Sequence, residues 1–179
     1  MKDDCLGLRL CLVRHGETEE NLQRLLQGHM PGTLTANGKQ QAVLLRDRLC
    51  LDNFDVILSS DLKRVTDTVR ILLDGRTDIP WQTTDRLREI DWGSMTGMRI
   101  ADIDPANLAP DVETREMLYE RAASVVRWLR DNFQGKTVLV VSHGLFLRSL
   151  TANLKNIDIS LLHTIERMEN CGIRWIGQE

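Results

Sequence analysis

Cysteine is sparse in this chain, with four in 179 residues, and none of Cys5, Cys11, Cys50 and Cys171 forms a CxxC pair or stands at metal-ligand spacing from a histidine. That pattern speaks against a disulfide framework or a cysteine-bound metal and predicts reduced thiols in or near the core. An excess of positive charge is missing too: the net charge is −3 and the pI about 5.8, so no global basic field draws nucleic acid or an anionic membrane. No apolar run approaches the ~18 residues that cross a bilayer. Residues 1–7 lack the basic and apolar regions of a signal peptide, so the expected compartment is the cytoplasm. Repeats, low-complexity tracts and linkers are also lacking.

What is present suits one domain over residues 1–179. A chain of this size buries roughly 70% of its unfolded surface and needs no covalent staple. The composition, 42% hydrophobic and 27% charged, is close to the globular average. Leu8 to Val13 is a short apolar run that stops at a charged, glycine-containing turn, which predicts a buried strand feeding a loop. Residues 35–51 predict a helix with Ala42, Leu45 and Leu49 on one face and Thr35 as N-cap. Residues 55–59 predict a second buried strand. Asp61 is then read as the cap of a helix striped by Leu62, Val65, Val69, Leu72 and Leu73, and residues 81–83 as a short third strand. Residues 113–133 carry the strongest helical pattern, through Leu118, Ala122, Val125, Val126 and Leu129, and end before Gly135. A strand over 137–141, a helix over 145–154 and a strand over 172–176 complete the order.

Strands alternate with helices, which predicts an α/β three-layer sandwich: a mostly parallel central sheet with helices on both faces. The segment 96–112, with Pro105 and Pro110, is the expected surface excursion. In such sheets ligands bind outside the carboxyl ends of the strands, so the residues that follow each strand carry the information. They are Arg14, His15, Gly16, Glu17 and Thr18; then Ser60, Asp61 and Arg64; then Ser142, His143 and Gly144.

Two arginines and two histidines at one sheet edge have a specific chemical meaning. A guanidinium presents a rigid fork of donors that matches phosphate oxygens, and helix N-termini add oriented N–H groups. A neutral imidazole between them is a nucleophile at physiological pH, and Gly16 and Gly144 let backbone approach a ligand. Phosphoryl transfer depends mostly on positioning and charge stabilisation, which this set provides. A leaving alkoxide also needs a proton; spacing leaves Glu17, Glu89 and Asp91 as competing donors. Glu17, near a helix start, reads as structural. His29 and His163 read as ordinary polar residues, and Trp92 as the tryptophan placed to reach a substrate.

The run Leu12-Val13-Arg14-His15-Gly16-Glu17-Thr18 resembles the signature of the histidine phosphatase superfamily, the phosphoglycerate mutase-like proteins. The likeness spans the chain. Asn21, Gln27-Gly28, Leu34-Thr35, Gly38 and Gln41-Ala42 follow in the family's order. Ser59-Ser60-Asp61-Leu62 with Arg64 and Thr68 is similar to its second arginine motif. Leu87-Arg88-Glu89 with Gly93 and Gly97 is similar to its proton-donor stretch, and Val141-Ser142-His143-Gly144 to its last motif. The resemblance implies that His15 is phosphorylated during turnover, that Arg14, Arg64 and His143 clamp the phosphate, and that Glu89 is the acid. It also implies that Thr18, Asn21, Gln27, Gly28 and Gly144 line the substrate pocket, with no metal and no cofactor required.

Three positions depart from the family pattern: Thr96 replaces a common glutamate, Thr33 a common proline, and the stretch 97–113 is short. A short cover exposes the phosphoenzyme to water and favours hydrolysis. The expected function is therefore hydrolysis of a small phosphorylated substrate, with neither nucleic acid nor membrane as partner. Alternatives are a phosphoglycerate mutase-type isomerase, a protein phosphohistidine phosphatase, and a non-enzymatic phosphate-sensing module. No motif bears on oligomeric state.

Overall fold

The computed structural model describes residues 7–177; Cys5 and the rest of the segment read for a signal peptide lie outside them, apart from Gly7. In chain order the main elements are β1 (Arg9–Arg14), α1 (Glu19–Leu22), α2 (Ala36–Arg48), β2 (Val56–Ser60), α3 (Lys63–Leu73), β3 (Trp81–Thr84), α4 (Arg115–Asn132), β4 (Thr137–Ser142), α5 (Gly144–Leu154) and β5 (Ile173–Ile176). The strands form one sheet in the order β3-β2-β4-β1-β5. Pairings β1–β4, β2–β4 and β2–β3 are parallel, and β5 closes the edge antiparallel to β1. The mostly parallel α/β sandwich expected from the alternation of elements is the observed fold.

The apolar runs are continuous because both faces of the central strands are covered. Side chains alternate across the sheet. Leu10, Leu12, Val56, Leu58, Val138 and Val140 join the stripe of α4 (Leu118, Ala122, Val125, Leu129) and Phe146, Leu147 and Leu150 of α5. Cys11, Val13, Ile57, Leu139 and Val141 join Leu45 of α2 and Val65, Val69 and Leu72 of α3 on the other face. Cys11, Cys50 and Cys171 are free thiols, and burial pushes Cys11 and Cys171 up to about 12.

The starts of α2 and α4 follow their caps. The Thr35 side chain accepts from Gly38 N (2.8 Å), as expected. Thr114 caps α4 in the same way, so that helix begins at Arg115, two residues later than its periodicity suggested. Asp61, however, does not cap α3. The N-cap is Leu62, and the carboxylate of Asp61 instead makes a two-point contact with Arg88 (2.7 and 2.5 Å). Other acceptors serve the helix start: Ser60 Oγ takes Leu62 N (3.3 Å) and the Pro31 carbonyl takes Arg64 N (2.9 Å).

Most of the excursion at 96–112 is exposed, and its first residues are pinned to the scaffold. Gly97 N and Ile100 N donate to the carbonyls of Leu26 and Arg24, while Leu26 N donates to Met98 O (2.8–2.9 Å). Met95, Val112 and Leu26 form a small buried cluster of their own. Among the described residues no helix is long and apolar enough to cross a membrane.

The α4 stripe is the main contribution of that helix to the core. We expect Leu129→Ala, at a fully buried site, to destabilise the protein by about 2–5 kcal/mol, lost transfer energy plus a cavity. Equilibrium urea unfolding measures it; a loss below about 1 kcal/mol would mean that the stripe collapses onto the gap.

Candidate active site

Strands β1, β2 and β4 end together, and the turns after them meet. His15 N donates to Ser142 O (3.0 Å), which ties the turn after β1 to the end of β4. The rings of His15 and His143 lie edge to face with centroids 5.3 Å apart. Arg64 rises from the first turn of α3 and Arg14 from the last residue of β1, and the charges of both act on the two imidazoles. His15, His143 and Arg64 are 3%, 0% and 1% exposed and Arg14 is half-buried, so the four groups form one cradle with little exposed surface.

The close approach that makes this possible needs glycine. A Cβ on Gly16 would stand 2.6 Å from the Gly38 carbonyl oxygen, and one on Gly38 would stand 2.0 Å from that of Glu17. The turn after β1 therefore packs directly on the start of α2. Gly16 N donates to Thr68 Oγ1 (3.1 Å), and Glu17 accepts from Thr35 and Asn37, which makes it an anchor of the turn.

The ring of His15 is oriented by its own backbone. Its Nδ1 lies 2.8 Å from the Gly16 carbonyl oxygen. A carbonyl only accepts, so Nδ1 carries the proton and Nε2 keeps the lone pair. Burial, then the charges of Arg64 and Arg14, hold the pKa of His15 well below the usual imidazole value. The ring is thus neutral and nucleophilic. His143 is depressed in the same way, by burial first and then by Arg64. Its Nε2 meets Ser60 Oγ at 2.9 Å, while Nδ1 has no protein partner. With the serine hydroxyl donating to Nε2, Nδ1–H is the free donor.

Both arginines are gripped by carbonyls and keep donors in reserve. Arg64 donates to the carbonyls of Met30 and Gly28 (the latter 2.8 Å), and Arg14 to that of Met168 (2.9 Å). The Nε atoms of both are buried without a protein partner. Burial lowers Arg64 to about 10 and Arg14 in the same direction, and both stay cationic at neutral pH. Gly28 reaches its position through a φ of +46°, the left-handed region that favours glycine.

Glu89 stands at the same edge, and of the three competing carboxylates it is the one that enters the site. Its Oε1 accepts from Ile90 N (3.1 Å) and Phe146 N (2.9 Å), and its Oε2 from Leu145 N (3.2 Å). The carboxylate therefore sits at the N-terminus of α5, where a negative charge is favoured. Its field acts on Arg14 and Arg64. Asp91 turns away: Oδ1 accepts from Gly93 N (2.9 Å) and Oδ2 faces His29 Nδ1 (3.5 Å).

The remaining residues named for the pocket are more embedded in the scaffold. Thr18 is fully buried, caps α1 and donates to Gln27 Oε1 (3.1 Å). Asn21 Oδ1 accepts from Thr18 N and from Asn170 Nδ2 (3.3 Å), which leaves the amide NH2 of Asn21 free. A Cβ on Gly144 would meet Arg14 Nε at 3.5 Å, so a methyl group there would lie against the clamp. Trp92 is half-buried and packs against two apolar clusters.

Four positioning residues were not legible as such. Arg121 of α4 donates to the carbonyls of Arg86, Arg88 and Glu89 (2.8–3.0 Å) and pairs with both oxygens of Glu113 (2.9 Å). Its place in the apolar stripe, three residues after Leu118 and four before Val125, was the available signal. Asn170 Nδ2 donates to the His15 carbonyl (2.9 Å) and nothing in its local sequence announces it. His29, read as an ordinary polar residue, donates through Nε2 to the Glu89 carbonyl (3.0 Å). Ser60 orients His143.

Two buried neutral histidines make stability depend on pH. Their folded pKa values are depressed, so the unfolded chain binds more protons as pH falls through its own value of about 6.5. The stabilisation is complete above that pH and declines below it, by at most about 1.4 kcal/mol per pH unit per histidine. We expect His143→Asn to flatten the loss of urea resistance between pH 7 and 5; an unchanged slope would mean that His143 titrates alike in both states.

Known proteins are similar to this chain in sequence and fold. The model of the histidine phosphatase superfamily (branch 1) matches residues 10–179. The chain is 32% identical to uncharacterized phosphatase PhoE of Bacillus subtilis over 158 residues, 87% of this chain and 81% of that one. It is 31% identical to probable phosphoglycerate mutase GpmB of Salmonella arizonae over 181 residues, 93% of this chain and 83% of that one. The solved structure of Bacillus stearothermophilus YhfR superposes with a TM-score of 0.87 at 30% identity, covering 96% of this chain and 92% of that one. With the fold, the paired histidines and the two arginines already in place, the chain belongs to the histidine phosphatase superfamily, branch 1.

Proposed function

We propose that this protein is a metal-independent phosphomonoester hydrolase that works through a phosphohistidine at His15. One observation carries the reading: the His15 ring is locked with Nδ1–H on the Gly16 carbonyl, so its Nε2 lone pair is the free one, beside three donors without protein partners, Arg14 Nε, Arg64 Nε and His143 Nδ1. Such a set matches an incoming nucleophile and the three equatorial oxygens of a transferring phosphoryl group.

In this reading Nε2 attacks phosphorus as the P–O bond to the leaving alcohol breaks. Glu89, protonated, gives its proton to the departing oxygen. Oε2 is the suited atom, since its single contact is the long one to Leu145 N (3.2 Å). The resulting carboxylate then takes a proton from water as that water attacks the phosphohistidine, which releases phosphate and restores His15. The charge of the transferred group is met by guanidinium and imidazole donors, the role a metal plays in other phosphotransferases. Thr18, Asn21, Gln27, Gly28 and Gly144 belong to the pocket wall in this scheme, with the free Asn21 amide a donor for the phosphate.

The likeness to a probable phosphoglycerate mutase keeps a second reading, transfer of the phosphoryl group back to a retained substrate. The segment 96–112 favours hydrolysis: it is short, and its residues 97–100 are pinned by backbone pairing to residues 24–26 instead of hanging as a lid. A coupled assay for interconversion of the two phosphoglycerates separates the readings.

His15→Ala should abolish turnover of p-nitrophenyl phosphate and acid-labile labelling of the protein, with the fold retained by circular dichroism. Hydrolysis persisting within tenfold of wild type, or wild-type activity lost in chelator, would overturn the scheme. Glu89→Gln should slow alkyl phosphates by about 10²–10⁴-fold and p-nitrophenyl phosphate, with its good leaving group, far less. Equal losses on both would assign Glu89 to holding α5 alone.

A further inference from the structure

The carboxylate of Glu89 and its main-chain carbonyl belong to one hydrogen-bonded circuit, of which the reaction just outlined uses only the carboxylate. Oε1 accepts from Ile90 N (3.1 Å), the amide that shares a peptide unit with the Glu89 carbonyl. That carbonyl accepts from His29 Nε2 and from Arg121 Nη2, both at 3.0 Å, so its two lone pairs are taken. A trans peptide is planar, with C=O and N–H pointing opposite ways. Whatever aims the carbonyl therefore aims the N–H that holds the carboxylate.

The two donors differ in kind. Arg121 uses all five of its N–H groups, on both oxygens of Glu113 and on the carbonyls of Arg86, Arg88 and Glu89, and its guanidinium lies over the Phe146 ring (5.0 Å). It is a fixed strut. His29 arrives from another part of the chain, between Gly28 and Met30, whose carbonyls both grip Arg64. One turn thus holds the phosphate clamp through its backbone and the proton-donor loop through its side chain.

The far side of the His29 ring is backed by acid. Nδ1 faces Asp91 Oδ2 at 3.5 Å, a contact that attracts when the ring carries both protons. Asp91 is tied to Glu113 in both directions: its N–H donates to Glu113 Oε2 (3.0 Å) and its carbonyl accepts from Glu113 N (2.8 Å). Glu113 in turn holds Arg121. The circuit from His29 through Asp91, Glu113 and Arg121 therefore closes on one atom, the Glu89 carbonyl oxygen.

We propose that His29 positions the proton donor through the 89–90 peptide, fixing Oε1 of Glu89 so that the proton is carried on Oε2. The proposal rests on the hydrolase reading above and adds a residue to its acid step. Donation to the carbonyl also polarises the peptide and strengthens the Ile90 N–H as a donor. Without His29 the carbonyl keeps a single donor, the peptide turns about it, and the Ile90 N–H leaves Oε1.

Two substitutions separate this role from a general support of the turn. In His29→Gln the amide nitrogen stands where the imidazole Nε2 stood; in His29→Asn it reaches only as far as Nδ1 and misses the Glu89 carbonyl. His29→Asn should lower kcat for glycerol 2-phosphate, a poor leaving group, by about tenfold. It should lower kcat for p-nitrophenyl phosphate far less and leave both KM values as in wild type, and His29→Gln should restore most of the lost rate. Amide exchange followed by NMR gives a reading that needs no turnover. The N–H groups of Ile90 and Phe146, both held by Glu89 Oε1, should exchange about tenfold faster in His29→Asn and as in wild type in His29→Gln. Equal slowing of the two esters, no slowing of either, a loss expressed in KM through the Arg64 grip, or unchanged exchange at both amides in His29→Asn would overturn the proposal. If the wild type hydrolyses neither ester, the hydrolase reading has failed, and the exchange rates alone decide whether His29 holds the carboxylate.

Discussion

The constraint on which this structure depends is the burial of two guanidinium groups with no carboxylate in direct contact. Arg14 and Arg64 have lost most of their water, and backbone carbonyls of Met168, Gly28 and Met30 replace it. Carbonyl dipoles hold the side chains without cancelling their charge, as a salt bridge would. The remaining donors are therefore aimed and undischarged, and burial, reinforced by the field they create, keeps both imidazoles neutral. In the proposed reaction neutrality is what His15 needs as a nucleophile, so one electrostatic arrangement would serve both the phosphate and the group that attacks it.

Much of the surrounding architecture supports that arrangement. The contact of Gly16 and Gly38 lets the turn after β1 sit flat on α2, and Thr68 and Asn170 tie its backbone from two further elements. Glu89 is held through its main chain as much as its side chain: Arg121 collects three carbonyls of residues 86–89, and Glu113 fixes Arg121 while also accepting from Asp91 N. A loop that follows an edge strand thereby acquires the rigidity of α4. Rigidity matters because charge stabilisation works only where the donors are already in place when charge develops.

Sheet order and layer structure were readable because central strands buried on both faces are continuous apolar runs, while helices keep a stripe. Most of the 96–112 segment is exposed, and what its prolines and polar residues hid is its anchoring: Met95 and Val112 acquire meaning only when Leu26 lies beside them. Asp61 illustrates the opposite failure. An aspartate before a helical stripe is a cap by local rules, but the Pro31 carbonyl and Ser60 met those N–H groups and Arg88 took the carboxylate.

By itself the sequence determined which chemical groups stand at strand ends, since periodicity locates the strands and the residues after them follow. It therefore named His15, Arg14, Arg64 and His143 before any coordinates. It left Glu17, Glu89 and Asp91 undivided, because loop carboxylates near strand ends look alike along the chain and only the family resemblance chose among them. Tertiary structure set Glu89 apart from the other two by holding it against the N–H groups of α5, and it fixed the tautomer of His15 and the grips on the arginines. These depend on contacts between residues far apart in the chain or on the direction of a single carbonyl, which periodicity does not carry.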